Sequence, residues 1–419
     1  MRHFIIFALP LIISGCHFVP DTAENDSTLK LEMAYSAPLL KMVYSAPLFE
    51  EKIDFLSISE DGSKFVAGSE RDGVGLYNAN DYLPIERYYE SDKSQILSTP
   101  TAYIRGVGFF DTNTWYFAAN PNREQDTERI TNIHIRTIQP QTEIKQYSFP
   151  NGQILLNKNH FAIFRGALKE QFNSESILVN WRTGAIYSFN IPANIFESGF
   201  GWVVIYDNSI TLTESSRILA QDIHDKTYHW FLLDPVTQED RQMLKNYVFF
   251  SPDEHYGVDM GESRCKLREF SSRKIVPLQK QKIVGFCSEP FFKKDDKNRL
   301  ITFSPDGKFF AVAFDREVRI YQVEPFKLVF RPKMFSHAGA LTLTNDGLLA
   351  TSDSRGYLRV WNYKTGQLIG QHHFSNPNDT SNSEIYFKPL LIFHPDGKRL
   401  FFTSYDILRV FQLPERETE

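Results

Sequence analysis

The chain has 419 residues, of which 42% are hydrophobic and 14% aromatic, and its formal net charge is -5. This length and apolar content suffice for a large buried core, which we interpret as one large domain. Because the chain has no excess of basic residues, we do not expect nucleic acid to be its main partner.

The N-terminal segment predicts export. Arg2 and His3 precede an apolar run from Phe4 to Ile13, which is too short to span a bilayer and has the length of a signal-peptide core. The run ends in Ile13-Ser14-Gly15-Cys16, which resembles a bacterial lipobox. The resemblance implies that residues 1–15 are a signal peptide and that Cys16 becomes a lipidated N-terminus, with palmitate among its acyl chains. An ordinary secretory signal with an incidental cysteine is the alternative.

Residues 16–34 are polar and without clear periodicity after Cys16, which is typical of a flexible tether. A local duplication follows, Tyr35 to Leu39 and Tyr44 to Leu48, each reading Tyr-Ser-Ala-Pro-Leu. One copy, within residues 35–50, is a candidate for the strand that completes a circular fold. The alternative is a slipped duplication inside the linker, because each proline lacks the amide donor of a central strand.

A turn motif then recurs between apolar alternating runs. In its fullest copies, proline sets φ at the second turn position and glycine takes a left-handed conformation, so that each copy predicts a hairpin. The copies are ISEDGSKF from Ile58, FSPDEHYG from Phe250, FSPDGKFF from Phe303, LTNDGLLA from Leu343 and FHPDGKRL from Phe393, with Asp306-Gly307, Asp346-Gly347 and Asp396-Gly397 at the reversals of the last three.

The last four copies recur at intervals of about 40 to 55 residues, which is typical of a β-propeller, whose blades are four-stranded antiparallel sheets. We therefore predict an all-β fold with a single propeller in residues 35–414 and a polar tail in residues 415–419. Eight blades are favoured and seven are the alternative, because the turns of blades three to five are weak. The predicted blades are residues 53–89, 96–149, 152–190, 199–243, 246–278, 283–330, 335–374 and 388–413, and residues 39–49 are expected to supply the missing outer strand of the last one.

The segment from Ser336 to Gly370 resembles a WD repeat. In that family a His, a Ser or Thr, a tight-turn Asp and a Trp form a buried hydrogen-bonded chain. His337, Thr351 and Trp361 match the first, second and last of these positions, but Arg355 stands at the Asp position. Degenerate copies place Tyr77, Tyr321 and Phe411 at the Trp position, with Asp72-Gly73 at the hairpin of the first blade. These copies also resemble periplasmic propellers that carry an SPDG turn.

Cys265 and Cys287 are the only other cysteines. In an exported protein they are candidates for a disulfide between blades five and six, and the alternative is that both are small buried apolar residues. No spacing of carboxylates or histidines predicts a metal site, because the adjacent His372 and His373 would point to opposite faces of a strand. We predict no catalytic, cofactor-binding or metal-binding residues.

Three functions follow as hypotheses. The first is a membrane-anchored, monomeric interaction platform that binds other proteins of the bacterial envelope through its loops. The second is a propeller enzyme of the quinoprotein dehydrogenase or lactonase type. Only Thr183-Gly184 and Thr365-Gly366 echo the quinoprotein repeat, which disfavours that hypothesis. The third, a special case of the first, resembles the propeller lipoprotein that assists outer-membrane assembly. His17 after the lipidated cysteine favours the outer membrane, facing the periplasm.

Overall fold

A computed structural model describes residues 38–88, 102–121, 130–150, 152–156, 160–165, 175–190, 210–212, 218–224, 227–233, 240–244, 248–253, 255–260, 265–270, 282–287, 300–314, 316–332, 334, 336–374 and 389–415. The predicted signal peptide, Cys16 and the tether lie outside these residues. Throughout the described ranges, no helix is long and apolar enough to cross a membrane.

The described segments form strands that group into four-stranded antiparallel sheets, one per blade. The strand that begins the fold is β1 (Lys41–Pro47), and the first blade contains β2 (Phe55–Ile58), β3 (Lys64–Ser69), β4 (Gly73–Asn78) and β5 (Pro84–Tyr88). The second contains β6 (Ala102–Phe109), β7 (Thr114–Pro121), β8 (Ile130–Thr137) and β9 (Thr142–Pro150), and the third β10 (Gly152–Leu156), β11 (His160–Arg165), β12 (Glu175–Asn180) and β13 (Ile186–Asn190).

The later blades follow the same order. The fourth contains β14 (Ile210–Leu212), β15 (Ile218–His224), β16 (Thr227–Leu233) and β17 (Asp240–Leu244), and the fifth β18 (Val248–Phe250), β19 (Tyr256–Met260), β20 (Cys265–Glu269) and β21 (Ile283–Phe286). The sixth contains β22 (Leu300–Phe303), β23 (Phe309–Phe314), β24 (Glu317–Gln322) and β25 (Lys327–Phe330), and the seventh β26 (Ala338–Leu343), β27 (Leu348–Asp353), β28 (Tyr357–Asn362) and β29 (Leu368–His373). The eighth contains β30 (Leu391–Phe393), β31 (Arg399–Ser404) and β32 (Ile407–Gln412), with β1 as its outer strand.

The described strands therefore make eight four-stranded sheets in a β-propeller, which agrees with the favoured blade count. The eighth sheet joins the two ends of the propeller, because β1 pairs antiparallel with β32 from Lys41 opposite Gln412 to Pro47 opposite Ile407. The duplicated segment that follows the tether thus contributes the outer strand of the last blade.

The core lies between blades rather than inside any one of them. Between blades eight and one, Leu48, Phe65 and Tyr77 pack with Phe401 and Leu408, and all five side chains are buried. Comparable apolar clusters join blades one and two, two and three, five and six, six and seven, and seven and eight. Each sheet is stable because its neighbours cover its apolar faces.

The recurring turns owe their sequence to a small hydrogen-bonded unit. The buried Ser304 hydroxyl donates to Asp306 Oδ1 at 2.7 Å and accepts from the amide of Phe309 at 3.0 Å, while Gly307 adopts φ 69°. Burial acts to raise the pKa of Asp306, but hydrogen bonds from Ser304 and Lys308 hold it below the usual value. Equivalent hydroxyl–carboxylate pairs are Ser59–Asp61, Ser251–Asp253 and Thr344–Asp346.

In the eighth blade a histidine replaces that serine and links the last blade to the first. The ring of His394 is buried, its Nε2 donates to the carbonyl oxygen of Gly62 at 2.6 Å, and its Nδ1 accepts from the amide of Asp396 at 3.1 Å. Arg399 adds a hydrogen bond to the carbonyl oxygen of Ala79 in the first blade. These contacts supplement β1 in holding the two ends of the propeller together.

The aromatic residues predicted at the Trp position share one register in the sheets. Tyr77 lies opposite Phe65, Tyr321 opposite Phe310, Phe411 opposite Leu400 and Trp361 opposite Leu349, in each case on the third strand facing the second. Tyr77, Tyr321 and Phe411 are buried in the contact with the preceding blade.

The outer edges of the blades share an irregularity. In seven of the eight sheets the pairing between the third and the outer strand shifts by one residue, which is a β-bulge or an equivalent break in the ladder. The exception is the third blade, where β12 and β13 pair without a shift. Bulges of this kind are common at sheet edges, where they interrupt the row of hydrogen-bonding groups.

The predicted border between blades five and six was wrong. Strand β21, Ile283–Phe286, pairs with β20 and completes the fifth blade, whereas the sequence analysis placed Ile283 at the start of the sixth. Connections of similar length flank β21 on both sides, so spacing alone does not assign it to a blade.

The disulfide is affected by the same correction. Cys265 and Cys287 are bonded and buried, with Cα atoms 5.2 Å apart, and they link the start of β20 to the residue that follows β21, within the fifth blade rather than between two blades. The amide of Cys287 also donates to the carbonyl oxygen of Cys265 at 3.0 Å.

The link between His394 and Gly62 predicts a non-additive mutational effect. A Cβ at Gly62 would collide with the His394 ring and would force a non-glycine residue into φ 69°, so Gly62→Ala is expected to destabilise by about 2 to 4 kcal/mol. His394→Ser, which restores the residue found in other turns, should remove the collision, so the double variant should lose less free energy of unfolding than the two single losses added together. Urea denaturation of the four proteins measures this, and strict additivity would contradict the contact.

Candidate interaction surface

The two faces of the propeller carry different connections. Successive strands of each sheet are antiparallel, so the connection from the first to the second strand and that from the third to the fourth lie at one end of the sheet. The hairpin between the second and third strands lies at the other end, together with the link to the next blade. We call this other end the hairpin face. Among the described residues it includes Arg71 to Gly73 in blade one, Ser354 to Gly356 in blade seven and Tyr405 to Asp406 in blade eight.

Two polar connections, from Asn120 to Thr131 and over residues 376–384, join strands that end at the hairpin face. Most of the insertion from Asn120 to Thr131 and all of residues 376–384 lie outside the described residues. The first segment joins β7 to β8 within blade two, and the second joins β29 to β30 between blades seven and eight. The topology therefore places the ends of both segments on one face.

Asp72-Gly73 shapes the hairpin face of the first blade. Asp72 Oδ2 accepts hydrogen bonds from the amides of Glu50 and Glu51, each at 2.6 Å, and Gly73 adopts φ 126°. The carboxylate therefore fixes the connection that leads from β1 into the first blade.

The hydrogen-bonded chain of the WD repeat, which the sequence predicts to be incomplete because Arg355 stands at the Asp position, is not formed in the seventh blade. The side chain of His337 is exposed, and its carbonyl oxygen accepts from the amide of Ser354 at 2.9 Å. Thr351 is fully buried, but neither its hydroxyl nor the buried Nε1 of Trp361 has a hydrogen-bond partner. The structure thus keeps the positions of the repeat without the hydrogen bonds that connect them in the family pattern.

An ion pair that the sequence analysis missed occupies this interior instead. Asp353 Oδ1 accepts from the amides of Arg355 and Tyr357 at 3.1 and 3.0 Å, and its Oδ2 accepts from Arg359 at 3.0 Å. Both charged side chains are almost fully buried, at 0% and 3% exposure. Asp353, which lies two residues before Arg355, therefore fixes the tight turn.

The arginine of this pair stands at a position that is repeated in three consecutive blades. The third strands of blades six, seven and eight read VRIYQ, LRVWN and LRVFQ, with Arg319, Arg359 and Arg409 two residues before the aromatic position. The three arginines differ in their partners: Arg319 pairs with Glu317 and Arg359 with Asp353, whereas the guanidinium of Arg409 lies 5.0 Å from the centre of the Phe374 ring. Nη1 of Arg409 is buried without a hydrogen-bond partner.

Arg409 belongs to an aromatic cluster between blades seven and eight. Phe374 stacks on Phe402 with ring centres 4.9 Å apart, and His372 lies 4.6 Å from Phe374 and 5.1 Å from Phe411. Burial lowers the pKa of His372, and the nearby charges of Arg409 and His373 lower it further. The neutral imidazole is therefore the form that this cluster accommodates.

Exposed side chains also lie at the hairpin-face ends of strands in these two blades. His337, Arg355, His373 and Tyr405 are all exposed on blades seven and eight, and we call these four residues the blade 7–8 patch. His373 points away from His372, because its ring lies 4.2 Å from Tyr357 in its own sheet. Tyrosine and arginine are enriched at protein–protein interfaces, where they supply apolar area together with a polar tip.

The described residues show no arrangement typical of a metal centre. No group of three or more His, Cys, Asp or Glu side chains among them is positioned to hold an ion. The blade 7–8 patch offers one guanidinium, two imidazoles and one phenol, and these groups can donate hydrogen bonds to the carboxylates of a partner.

Comparison with known proteins supports the fold. No family model and no curated protein sequence matches the chain. Among solved structures, the Dos1 propeller matches with a TM-score of 0.57 at 13% identity, covering 89% of this chain and 95% of the other. The computationally designed Ika8 protein matches with a TM-score of 0.53 at 12% identity, covering 90% of this chain and 99% of the other. At these identities the likeness concerns the fold alone.

The depressed pKa of His372 predicts a loss of stability in mild acid. Because the folded state favours the neutral ring, its contribution is fully present above the unfolded pKa of about 6.5 and is lost as the pH falls through the lower folded value. His372→Gln is expected to reduce the drop in melting temperature between pH 7.5 and 5.5, relative to the unmodified protein. His337→Gln, which removes an exposed imidazole from the same blade, is the matched control, and an unchanged drop in His372→Gln would contradict the assignment.

Proposed function

We propose that this chain is a membrane-anchored propeller that serves as a non-catalytic platform for protein binding in a bacterial envelope. The observation that carries the proposal is the blade 7–8 patch, in which Arg355, His337, His373 and Tyr405 are exposed on the two blades that contain the buried Asp353–Arg359 pair and the aromatic cluster. Rigid support beneath exposed side chains lowers the entropy lost on binding. The patch is therefore suited to hold a partner without rearrangement of its backbone.

The charge of the patch suggests the chemistry of the partner. Arg355 is exposed at the hairpin of blade seven, and Arg409 in blade eight lacks a hydrogen-bond partner at Nη1. An acidic protein surface would find complementary charge here, with Tyr405 supplying apolar contact. A partner in outer-membrane assembly is the narrower form of the proposal, which the sequence resemblance alone suggests.

The N-terminal sequence supports the anchored location. Ile13-Ser14-Gly15-Cys16 has the pattern of a lipobox, and the polar residues that follow give the propeller freedom to reach a partner. Two or more acyl chains on one residue would anchor the protein stably, because each buried methylene contributes about 0.8 kcal/mol. His17 in the position after Cys16 favours the outer membrane over the inner one.

The platform hypothesis predicts that the patch can be disabled without harm to the fold. Arg355→Glu combined with Tyr405→Asn should weaken capture of envelope partners by about tenfold or more, because charge complementarity and aromatic area are both lost. Asparagine is chosen because Tyr405 has φ 57°, which asparagine tolerates. Ile186→Ala, at a side chain 60% exposed on the outer strand of blade three, is the matched control.

Quantitative mass spectrometry of proteins captured from the native membranes measures this effect, with melting temperature as the check on folding. The expected result is a selective loss of partners in the patch variant and none in the control. Retention of every partner by a folded patch variant would refute the assignment of this surface.

The anchor is tested separately by Cys16→Ser. Without the sulfur that accepts the lipid, the protein is expected to move from the membrane fraction to the soluble periplasmic fraction. Fractionation followed by immunoblotting measures the shift, and a variant that stays with the membranes would exclude Cys16 as the anchor.

A further inference from the structure

The outer strand of the last blade is encoded twice. Residues 31–39 read LEMAYSAPL and residues 40–48 read LKMVYSAPL, so seven of nine positions are identical. In the structure the second copy forms β1 and its flanks, and most of the first copy lies outside the described residues. We call the place that residues 40–48 occupy along β32 the closing-strand slot.

The slot recognises the second copy through a few side chains. Leu40 is 4% exposed and lies in the cluster between blades seven and eight, where a Cβ on Gly370 would touch it. Tyr44 stacks on Tyr82 of the first blade with ring centres 4.3 Å apart. Leu48 is 6% exposed and packs in the cluster that joins blades eight and one.

Every one of these contact residues has an identical counterpart in the first copy. Leu31, Tyr35 and Leu39 correspond to Leu40, Tyr44 and Leu48. The two differences between the copies fall at Lys41 and Val43, whose side chains are exposed in the slot. Glu32 and Ala34 would therefore replace them at the surface, without burying a charge or opening a cavity.

The backbone places no obstacle to the exchange. A slip of one residue would turn every side chain to the wrong face, whereas a slip of nine residues brings the same side chains back to the same positions. The amide of Leu40 donates to the carbonyl oxygen of Gln371, and the amide of Gln371 donates to that of Pro38. Leu31 and Leu29 supply the same groups in the shifted register.

The connection to the first blade would lengthen at modest cost. Residues 49–52 now link the slot to Ile53, and residues 40–52 would do so after the shift. The entropy cost of closing a loop grows only slowly with its length. The hydrogen bonds from Glu50 and Glu51 to Asp72 favour the observed register.

We infer that the closing-strand slot is a peptide-binding site with two cognate segments in this chain, and that residues 31–39 replace residues 40–48 in a second register. The exchange shortens the tether by nine residues and lengthens the link to the first blade, at the hairpin face, by nine residues. The distance that the tether can span shortens accordingly, and the released copy is presented beside the link into blade one. This inference goes beyond the proposed function and does not depend on it.

The first test compares aspartate substitutions in the two copies. Leu39→Asp alone should leave the melting temperature unchanged, because Leu39 is 78% exposed. Leu48→Asp alone should lower it only moderately, because the first copy then takes the slot. The double variant should lose much more than the sum of the two single losses. A Leu48→Asp protein as unstable as the double variant would overturn the inference.

The second test traps the register covalently and needs no change in stability. In a Cys16→Ser background, Gln412→Cys is combined with Lys41→Cys, which lies opposite it in the observed register, or with Glu32→Cys, which lies opposite it in the shifted one. Ala23→Cys, a further nine residues towards the N-terminus, reports random collisions of the tether. Oxidation followed by non-reducing electrophoresis and peptide mapping measures each bond.

The yield of the intrachain disulfide to position 412 should be higher in the Glu32→Cys protein than in the Ala23→Cys control. That yield should rise by about tenfold when Leu48→Asp is added, because a buried aspartate disfavours the observed register by at least that ratio. Yields equal to the control in both backgrounds would overturn the inference. Disulfide bonds that form between two chains, instead of within one chain, would also overturn the inference.

Discussion

No blade of this protein can cover its own two faces, so the stability of every sheet depends on closing the ring. The closure is made at blade eight, where β1 from the N-terminal side pairs with β32 near the C-terminal end. His394 reinforces it by reaching the carbonyl oxygen of Gly62 in blade one. The apolar cluster around Phe401 and Tyr77 then seals the contact between the last and first blades. A defect here exposes apolar surface on two blades at once.

Much of this architecture was readable from local patterns. The turn around Asp306-Gly307 predicts a hairpin because its serine, aspartate and glycine satisfy the reversal within a few residues. The sequence does not show to which blade β21 belongs, because connections of similar length separate β21 from the strand before it and from the strand after it. Asp353 was missed because its role depends on Arg359 in the next strand, and Arg355 stood at the position where the repeat pattern places an aspartate. The candidate patch required the exposure of side chains from two blades, which no single repeat reveals.

The seventh blade shows how a repeat can keep its shape after losing its polar chain. Trp361 retains the register of the aromatic position, yet its Nε1 and the Thr351 hydroxyl bind nothing. The Asp353–Arg359 pair supplies the turn hydrogen bonds instead. A buried ion pair of this kind contributes little net stability over apolar packing, but removal of one partner is costly, by about 3 to 5 kcal/mol. Blade seven is thereby tied to one arrangement of its hairpin, on which the neighbouring exposed residues depend.

The breaks in the outer ladders, present in seven of the eight sheets, bear on crowding. Two copies of a propeller that meet side by side bring their outer strands together. A regular outer strand would offer another copy a template for continuous pairing, which is a route to edge-to-edge aggregation. A bulge bends and twists the outer strand that carries it, which makes that strand a poorer template for a neighbour.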